Sequence, residues 1–380
     1  MQKPIYLDHA AATPMDPAVQ AAMQPYFVDK FYNPSATYLP AVGVRQDLEA
    51  ARAQVAHWLG AHPTEVVFTA GGTEANNLAI RGVLERFGDG NVVVSAIEHE
   101  SVLAPAHHYD CREAPVSAEG IIDIPALTKL IDDKTVLVSV MQANNEIGTV
   151  QPIRHITQEL GRIRALRKAA GNTRPLYFHT DAAQAANYLD LHTARLGVDL
   201  MTINAGKIYG PKQCGALFVA HHVRLQAQTF GGGQERGVRS GTENVAGAIG
   251  LAAALDTAQT MRHDETRRLQ HLQQLFFDLL EKEIPQVVVN GSRKTRLPNN
   301  IHVTLPGQDN ERLLLELEQQ GILCAAGSAC SASNEEPSHV LRAMGLSEAD
   351  AQASLRFTMG RQTDEAAIRH TVATLRDVLS

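Results

Sequence analysis

The stretch DLMTINAGKIYGPKQCGALFV, residues 199–219, contains two apolar runs with a tight turn between them. The first run ends close to Lys207, the pair Gly210-Pro211 follows, and the second run begins at Gly215. Gly-Pro pairs mark turns, so the stretch predicts a strand, a corner and a second strand. Lys207 then lies at a strand end, where an amine can face a pocket and form a Schiff base. A lysine at a turn is more often solvated, so the rest of the chain has to decide its role.

Short apolar runs alternate with helix-like stretches through the first part of the chain. The runs are rich in Val, Ile, Leu, Phe and Tyr, and they cover residues 65–69, 91–95, 135–141, 176–179 and 200–203. Because helix-like stretches separate most of them, we predict an α/β fold with a mainly parallel sheet covered on both faces. In such a sheet, ligands bind where the carboxyl ends of the strands meet the following loops.

The remainder of the chain predicts a second domain. A chain of 380 residues exceeds the size at which one core usually stops growing. After a long helical stretch at 244–282 come weaker strands and a helix, at 287–290, 300–305, 311–320 and 354–358. We therefore predict a large domain over residues 16–260 and a smaller α+β domain formed by residues 1–15 and 261–380.

Composition and charge exclude several classes of protein. The formal net charge of −7 argues against nucleic acid as the main partner, because phosphate-binding surfaces need a basic excess. No apolar run approaches the roughly 20 residues of a membrane span, and Asp8 and His9 stand where a secretory signal would be apolar. We expect a cytoplasmic protein with no membrane partner. Four scattered cysteines do not form a disulfide framework, and no Cys/His spacing predicts a metal site.

Polar residues of complementary chemistry follow several predicted strands. Gly72 and Thr73 open a helix after the first run, and a helix start offers free N–H groups and a positive dipole to a phosphate. His99 and Asp181 follow two other runs. Each has an ordinary explanation, as an exposed histidine and as a helix cap. Pyridoxal phosphate requires a phosphate-binding site, an acid beside its protonated ring nitrogen and an amine that binds it covalently. The predicted helix start, Asp181 and Lys207 at the edge of one sheet match these three requirements.

Ten segments in order along nearly the whole chain resemble one known family. They are YLDHAAATPMDP, FYNPSATY, FTAGGTEANNLAI, EHESVL, NNEIGTVQPI, HTDAAQ, GKIYGPKQCGAL, GGGQERGVRSGTEN, GSACSASNEEPSHVLRAMG and LRFTMGRQTDEAAI. The family is that of the cysteine desulfurases of the nitrogen-fixation and iron-sulfur-assembly type, in class V of the fold-type I pyridoxal-phosphate enzymes. The resemblance implies a homodimer that converts L-cysteine to L-alanine and passes the sulfur to an acceptor protein, for iron-sulfur cluster assembly or thiolation.

The same resemblance implies a role for each matching residue. Lys207 would bind the cofactor covalently, His99 would stack on its ring, and Asp181 would pair with the ring nitrogen. Cys330 would be the nucleophile that carries the persulfide. The other cofactor contacts would be Gly72, Thr73, Asn145, Gln184, Asn204, Gly206 and, from the second subunit, Thr242. Arg356 would clamp the substrate carboxylate with its planar fork, and Asn33 would also contact the substrate.

The two cysteines near the C-terminus differ in their surroundings. Cys330 lies in AAGSACSASNEEP, residues 325–337, a small and polar run that predicts a loop before a helix opened by Pro337. Cysteines are more often small buried residues, but this composition does not describe a core and favours a reactive thiol. The thiol must lose its proton before it attacks, and His99 is a candidate acceptor. Cys324 is an extra thiol that either resolves a persulfide or fills a buried strand position.

The chain also departs from the family pattern near the expected pocket. Asn204 and Gly206 stand where the family carries Ser and His before its lysine, and Gln213 and Tyr38 replace a Gly and a His. These departures leave two alternatives open. One is another class V enzyme, a selenocysteine lyase or an aminotransferase, although an aminotransferase needs no thiol like Cys330. The other is a low-activity scaffold paralogue that keeps the fold.

Overall fold

The computed structural model describes residues 4–327 and 337–379, in which strands and helices alternate as far as β8 and α9. The strands of these residues are β1 Ile5–Tyr6, β2 Val66–Thr69, β3 Asn91–Ser95, β4 Cys111–Ala114, β5 Thr135–Ser139, β6 Tyr177–Asp181, β7 Leu200–Asn204, β8 Gly215–Val219, β9 Val288–Val289, β10 Asn300–Thr304, β11 Ile322–Leu323 and β12 Ser354–Thr358. The helices are α1 Pro17–Met23, α2 Pro25–Val28, α3 Leu39–Leu59, α4 Gly72–Arg86, α5 Glu100–Ala106, α6 Ile124–Leu130, α7 Ile153–Ala169, α8 Thr193–Leu196, α9 Val245–Glu283, α10 Asn310–Gln319, α11 His339–Ala343, α12 Glu348–Gln352 and α13 Glu365–Leu379.

The main sheet confirms the predicted α/β class. Among the described residues it has seven strands in the order β2, β8, β7, β6, β5, β3, β4. β8 runs antiparallel to both of its neighbours, and the other neighbours pair in parallel. Parallel strands are covered on both faces, which explains why β3, β5 and β6 are fully buried and why β3 and β5 have an apolar centre. The edge strand β4 was not predicted because its sequence, CREA, has no apolar pattern.

The corner around Lys207 has the predicted strand-turn-strand form. β7 ends at Asn204, a 3-10 turn covers Ala205–Lys207, and β8 returns antiparallel to β7. A Cβ at Gly210 would lie 2.9 Å from both the Cβ and the carbonyl oxygen of Ala205, so a glycine is needed where the chain doubles back. The turn therefore fixes Lys207 at the carboxyl edge of the sheet.

A second core lies beside the three-stranded antiparallel sheet β12-β10-β9. Helices α10 and α13 and the C-terminal half of α9 contribute to it, and Leu7 from the N-terminal segment is buried there. The first core includes Ala258 of α9 and the second begins on that helix at Leu269, so one helix belongs to both. β1 pairs in parallel with β11. These contacts support the predicted division into residues 16–260 and residues 1–15 with 261–380, which stays a proposal.

The helix that follows the Cys330 segment begins later than predicted. α11 starts at His339, and the N-cap is Ser338, whose hydroxyl accepts a hydrogen bond from the Leu341 N–H. The expectation that Pro337 opens this helix is therefore wrong, because the proline precedes the capping serine, the type of residue that satisfies a helix start. None of the described helices combines the length and the apolar composition of a membrane-spanning segment.

Candidate active site

A cavity of about 130 Å³ opens at the carboxyl ends of the main-sheet strands, next to β12 of the second sheet. The side chains that line it come from loops after four strands, from the start of α4, from the N-terminal segment and from β12. They are Ala10, Ala11, Gly72, Thr73, Asn76, His99, Ser101, Met141, Ala143, Asn145, Asp181, Ala183, Gln184, Asn204, Lys207 and Arg356. Most of the predicted site residues therefore meet in one place.

Three of the predicted residues that the structure describes are not part of this lining. Gly206 lies beside it, and its N–H donates to the side-chain oxygen of Asn204 over 3.1 Å. Asn33 and Thr242 are exposed and do not line the cavity of their own chain. Cys330 lies outside the described residues. The roles of these residues stay predictions.

The amine of Lys207 points to the N-terminal segment. Its Nζ donates to the carbonyl of Ala10 over 2.9 Å and to the carbonyl of Ala11 over 2.5 Å. The side-chain nitrogen of Gln184 also donates to the carbonyl of Ala10, over 2.9 Å. Residues 10 and 11 thus form one wall of the cavity, and the backbone carbonyls of that wall orient the lysine.

The start of α4, at Gly71, Gly72 and Thr73, has the features of an anion-binding site and is called the anion seat. The N-cap is Gly71, which has no side chain to occupy the first N–H groups, and its φ of 116° suits glycine alone. A Cβ at Gly72 would lie 3.3 Å from the side chain of Asn204, so backbone and amide approach closely here. Glu74 pairs with Arg239, Nε to Oε1 2.9 Å, which offsets its charge near the seat. The helix dipole and free N–H groups favour a phosphate at this position.

Asp181 is the last residue of β6 and is almost completely buried, with 7% of its surface exposed. Its Oδ2 accepts from the amide nitrogen of Asn76 over 2.7 Å, and its Oδ1 accepts from the Ala183 N–H over 2.9 Å. A buried carboxylate requires such partners. The arrangement leaves a fixed acceptor in the cavity wall for a cationic ring nitrogen.

His99 is the N-cap of α5. Its Nδ1 accepts from the Ser101 N–H over 3.0 Å and lies 2.8 Å from the Ser101 hydroxyl. Burial lowers the pKa of His99, Asp181 opposes this effect, and Lys207 adds to it. The imidazole is therefore favoured over the imidazolium.

Arg356 lies in the middle of β12, and its side chain is only 2% exposed. Its Nη2 donates to Asp8 Oδ1 over 2.7 Å, and its Nη1 donates to the carbonyl of Asn145 over 3.1 Å. Because it also lines the cavity, it places a guanidinium opposite the sheet edge that carries Lys207 and Asp181. A substrate carboxylate is the natural ligand for such a group.

This set of donors fits pyridoxal phosphate. The glycine helix start can hold the phosphate, Asp181 can hold the ring nitrogen, and Lys207 can bind the aldehyde carbon. The Gly72 position matters for the fit, because a Cβ there would lie 3.3 Å from the Asn204 side chain and would narrow the space for a phosphate.

Some residues of the site were not anticipated from the sequence. Asn76 and Asp8 both contact predicted site residues, and Asn76 carried a usable signal. It lies on the buried face of α4 with Ile80 and Val83, where a polar residue interrupts an apolar stripe. The sequence carried no signal for Ala10 and Ala11, because they contribute through backbone carbonyls.

Of the four departures from the family pattern, Asn204 lines the cavity and Gly206 lies beside it. Gln213 and Tyr38 do not line it. Gln213 has a φ of 56°, a conformation that suits the glycine of the family pattern better than a glutamine. Cys324 directly follows β11 and packs against the second core, and burial raises the pKa of its thiol to about 12. A thiol with so high a pKa is a poor nucleophile at neutral pH, which argues against a resolving role, although Cys324 lies just after the strand and is only partly buried.

Comparison with known proteins gives a consistent result. Residues 5–370 match the family model for aminotransferase class-V. The cysteine desulfurase IscS of Dictyoglomus turgidum is 40% identical over 387 residues, which cover 100% of this chain and 95% of that protein. The cysteine desulfurase of Homo sapiens is 40% identical over 380 residues, which cover 97% of this chain and 80% of that protein. This chain belongs to the cysteine desulfurase family.

Solved structures resemble this family member over almost its whole length. A protein described as NifS-like superposes with a TM-score of 0.90 at 28% identity and covers 99% of each chain. A structure described as SspA in complex with cysteine superposes with a TM-score of 0.80 at 33% identity, over 93% of this chain and 98% of that chain. The predicted fold type I class and the pyridoxal-phosphate cofactor of the cysteine desulfurases are thereby confirmed.

Proposed function

We propose that this protein is a cysteine desulfurase that converts L-cysteine to L-alanine and retains the sulfur as a persulfide on Cys330. The observation that carries the proposal is one cavity that contains Lys207, Asp181, the α4 anion seat and Arg356. An amino acid bound there has its carboxylate held by Arg356 and its amino group near the lysine.

Pyridoxal phosphate, when bound, supplies an electron sink that makes the Cα proton of the substrate acidic. The chain then has three tasks. Lys207 Nζ would hold the cofactor and, as a free amine, would accept the Cα proton of the substrate. Asp181 holds the ring nitrogen in its protonated form, which strengthens the sink. Arg356 fixes the carboxylate and with it the direction of the Cα–H bond.

Cys330 takes the sulfur in this proposal. Its thiolate forms an S–S bond with the substrate sulfur while the C–S bond of the substrate breaks. The carbon keeps the electron pair of that bond and takes up a proton to become the methyl group of alanine. A small, polar sequence around the thiol is compatible with transfer of the persulfide sulfur to an acceptor protein, for cluster assembly or thiolation.

We further propose a homodimer and a cytoplasmic location. Two features support the dimer. Thr242 is exposed and does not line the cavity of its own chain, as a residue that acts across a subunit interface would be placed. Phe27, Phe31 and Leu39 are large apolar side chains exposed in the single chain, and Leu39 is 84% exposed. The location rests on the sequence alone.

The experiment measures sulfide and alanine from the purified protein with L-cysteine and a thiol reductant. We expect equal amounts of both products, and we expect Cys330→Ala to abolish their formation while the visible absorption of the cofactor remains. Cys324→Ala, a neighbouring thiol with a raised pKa, is the matched control and should keep most of the activity.

Lys207→Ala supplies the second arm of this experiment. The variant should lose the visible absorption band, because no amine remains to bind the cofactor covalently. Normal desulfuration by Cys330→Ala would reject the assigned nucleophile. Amino-group transfer without sulfide release would favour the aminotransferase alternative, and a colourless protein without turnover would favour the scaffold alternative.

A further inference from the structure

A chain of hydrogen bonds joins Asp181 to His99 through two side chains that the function above does not use. The amide nitrogen of Asn76 donates to Asp181 Oδ2 over 2.7 Å and to the Ser101 hydroxyl over 2.8 Å. The Ser101 hydroxyl lies 2.8 Å from His99 Nδ1. Asn76 and Ser101 are both buried, so water does not replace these bonds readily.

The orientation of the Asn76 amide is decided by its neighbours. A carboxylate only accepts hydrogen bonds, so the nitrogen of the amide must face Asp181. The amide oxygen is buried and has no hydrogen-bond partner among the described residues. A flipped amide would place that oxygen against the carboxylate, which is repulsive. The hydrogen bonds from its nitrogen to Asp181 and Ser101 therefore fix the orientation of the Asn76 amide.

This orientation determines the direction of the next bond. Because the Ser101 hydroxyl oxygen accepts from Asn76, its own proton is directed to His99 Nδ1. The Ser101 backbone N–H donates to the same nitrogen over 3.0 Å. Two donors thus converge on His99 Nδ1, and a ring nitrogen that accepts hydrogen bonds carries no proton. The proton of a neutral ring must then lie on Nε2.

We propose that Asn76 and Ser101 are positioning residues that hold His99 as a neutral imidazole with its proton on Nε2. His99, which lines the cavity, would then present a hydrogen-bond donor to a ligand bound there. It cannot accept a proton at Nε2, and it can accept one at Nδ1 only by breaking the bond from the Ser101 N–H. This inference deepens the proposed function and rests on it for the cofactor and the substrate that occupy the cavity beside His99.

The charged groups around the ring do not overturn this state. Asp181 on β6, Glu100 on α5 and Glu146 after β5 favour the imidazolium, whereas burial and Lys207 disfavour it. Burial is the largest of these effects, so the pKa of His99 is lowered. The helix N-terminus acts in the same direction, because Nδ1 caps α5.

The test is nuclear magnetic resonance of the holoprotein with labelled histidine side chains, with His99→Gln used to assign the His99 signals. We expect wild-type His99 to show an unprotonated Nδ1 and a protonated Nε2 at neutral pH and above. Ser101→Ala and Asn76→Ala should each shift the titration of His99 upwards and populate the other tautomer. Ser101→Thr keeps the hydroxyl and should restore the wild-type signals.

Asn77→Ala is the matched control. Asn77 is adjacent on α4, its side chain donates to the Thr73 carbonyl, and it takes no part in the network. A wild-type His99 that is protonated on Nδ1, or that titrates like an exposed histidine, would overturn the proposal. Unchanged His99 signals in both Ser101→Ala and Asn76→Ala would also overturn the proposal. The wild-type spectrum decides the tautomer even if a variant does not fold, and none of these readouts requires turnover.

Discussion

Arg356 is held by the protein on two sides. Asp8 accepts from its Nη2, and the carbonyl of Asn145 accepts from its Nη1. The Nε of the same group is buried and has no partner among the described residues. The guanidinium thus has a defined direction and unused donors, which a carboxylate ligand can complete. Asp8 is in this sense part of the substrate site, although the family resemblance gave it no role.

We expect Asp8→Ala to raise KM for L-cysteine about tenfold with a smaller effect on kcat, because one lost charge-assisted hydrogen bond corresponds to roughly 1.5 kcal/mol. Steady-state kinetics with alanine detection measures this. Asp8→Asn keeps the shape and an acceptor oxygen, so its KM should lie between those of wild type and Asp8→Ala. An unchanged KM in Asp8→Ala would show that Arg356 keeps its orientation without Asp8.

At the scale of elements, a buried histidine connects three strands of the main sheet. His179 on β6 lies 2.8 Å from the Ser139 hydroxyl on β5 and 3.1 Å from the Thr202 hydroxyl on β7. Burial lowers the pKa of His179 to about 4, although Asp181 opposes the shift. In an unfolded chain a histidine titrates near 6.5. Between these values the unfolded state binds a proton that the native state does not, so stability falls as pH falls.

The comparison of wild type with His179→Gln tests this element. Between pH 7 and pH 4 the unfolding free energy of wild type should decrease by about 3 kcal/mol more than that of the variant. Urea denaturation at several pH values measures it. His179→Gln should also be less stable than wild type at pH 7, because the glutamine cannot reproduce both hydrogen bonds. Parallel pH dependences would mean that His179 is not the group that titrates.

A second link joins α3 to the segment before α9. Arg52 and Glu235 form a buried bidentate pair, Nη1 to Oε2 2.6 Å and Nη2 to Oε1 2.8 Å. Glu235 Oε2 also accepts from the Phe68 N–H over 3.0 Å. Glu235 has a φ of 44° and Arg236 a φ of 58°, so this turn adopts an unfavourable backbone conformation that the buried pair can stabilise. The segment that carries Thr242 therefore starts from a fixed anchor.

Removal of one partner of the Arg52–Glu235 pair should destabilise the folded protein. We expect Glu235→Ala to lower the unfolding free energy by about 3 to 5 kcal/mol, because the buried Arg52 loses its main counter-charge. The double variant Arg52→Met with Glu235→Leu removes both charges and should be less destabilised than Glu235→Ala. Chemical denaturation distinguishes the two. A loss below 1 kcal/mol in the single variant would show that the pair contributes little.

At the scale of the whole molecule, the site is assembled from segments that are distant in the chain. The N-terminal segment supplies Ala10 and Asp8, the main sheet supplies Lys207, and β12 supplies Arg356. Both cores share α9, so this helix of 39 residues is one of the elements that connect the two sheets. In the proposed dimer, Thr242 extends the assembly across the subunit interface.

A mixed dimer tests whether Thr242 acts in the other subunit. One subunit would carry Lys207→Ala and the other Thr242→Ala, and each single variant should have low activity. If Thr242 acts across the interface, the mixed dimer contains one site with both residues intact and should recover about half of the wild-type activity. If Thr242 acts within its own subunit, both sites remain defective and no recovery occurs. A monomer in sedimentation experiments would reject the dimer itself.

Much of this protein could be predicted from local sequence. The mainly parallel sheet follows from short β-branched runs between helices, and Lys207, Asp181 and Gly72 could be found because each stands beside such a run. The composition around Cys330 also indicates a loop, a prediction that lies outside the described residues. These signals are local, since strand periodicity, turn residues and helix starts depend on a few neighbouring residues.

Tertiary structure alone decided the partners of these residues. The pairing of Asp8 with Arg356 joins positions 348 residues apart, and the contact between Asn76 and Asp181 joins positions 105 apart. Ala10 and Ala11 take part only through carbonyl oxygens, which no side chain reveals. The tautomer of His99 likewise depends on which donors the fold brings to Nδ1. Local sequence therefore determined which chemical groups stand at the sheet edge, whereas packing determined their orientation and protonation, because both depend on neighbours distant in the chain.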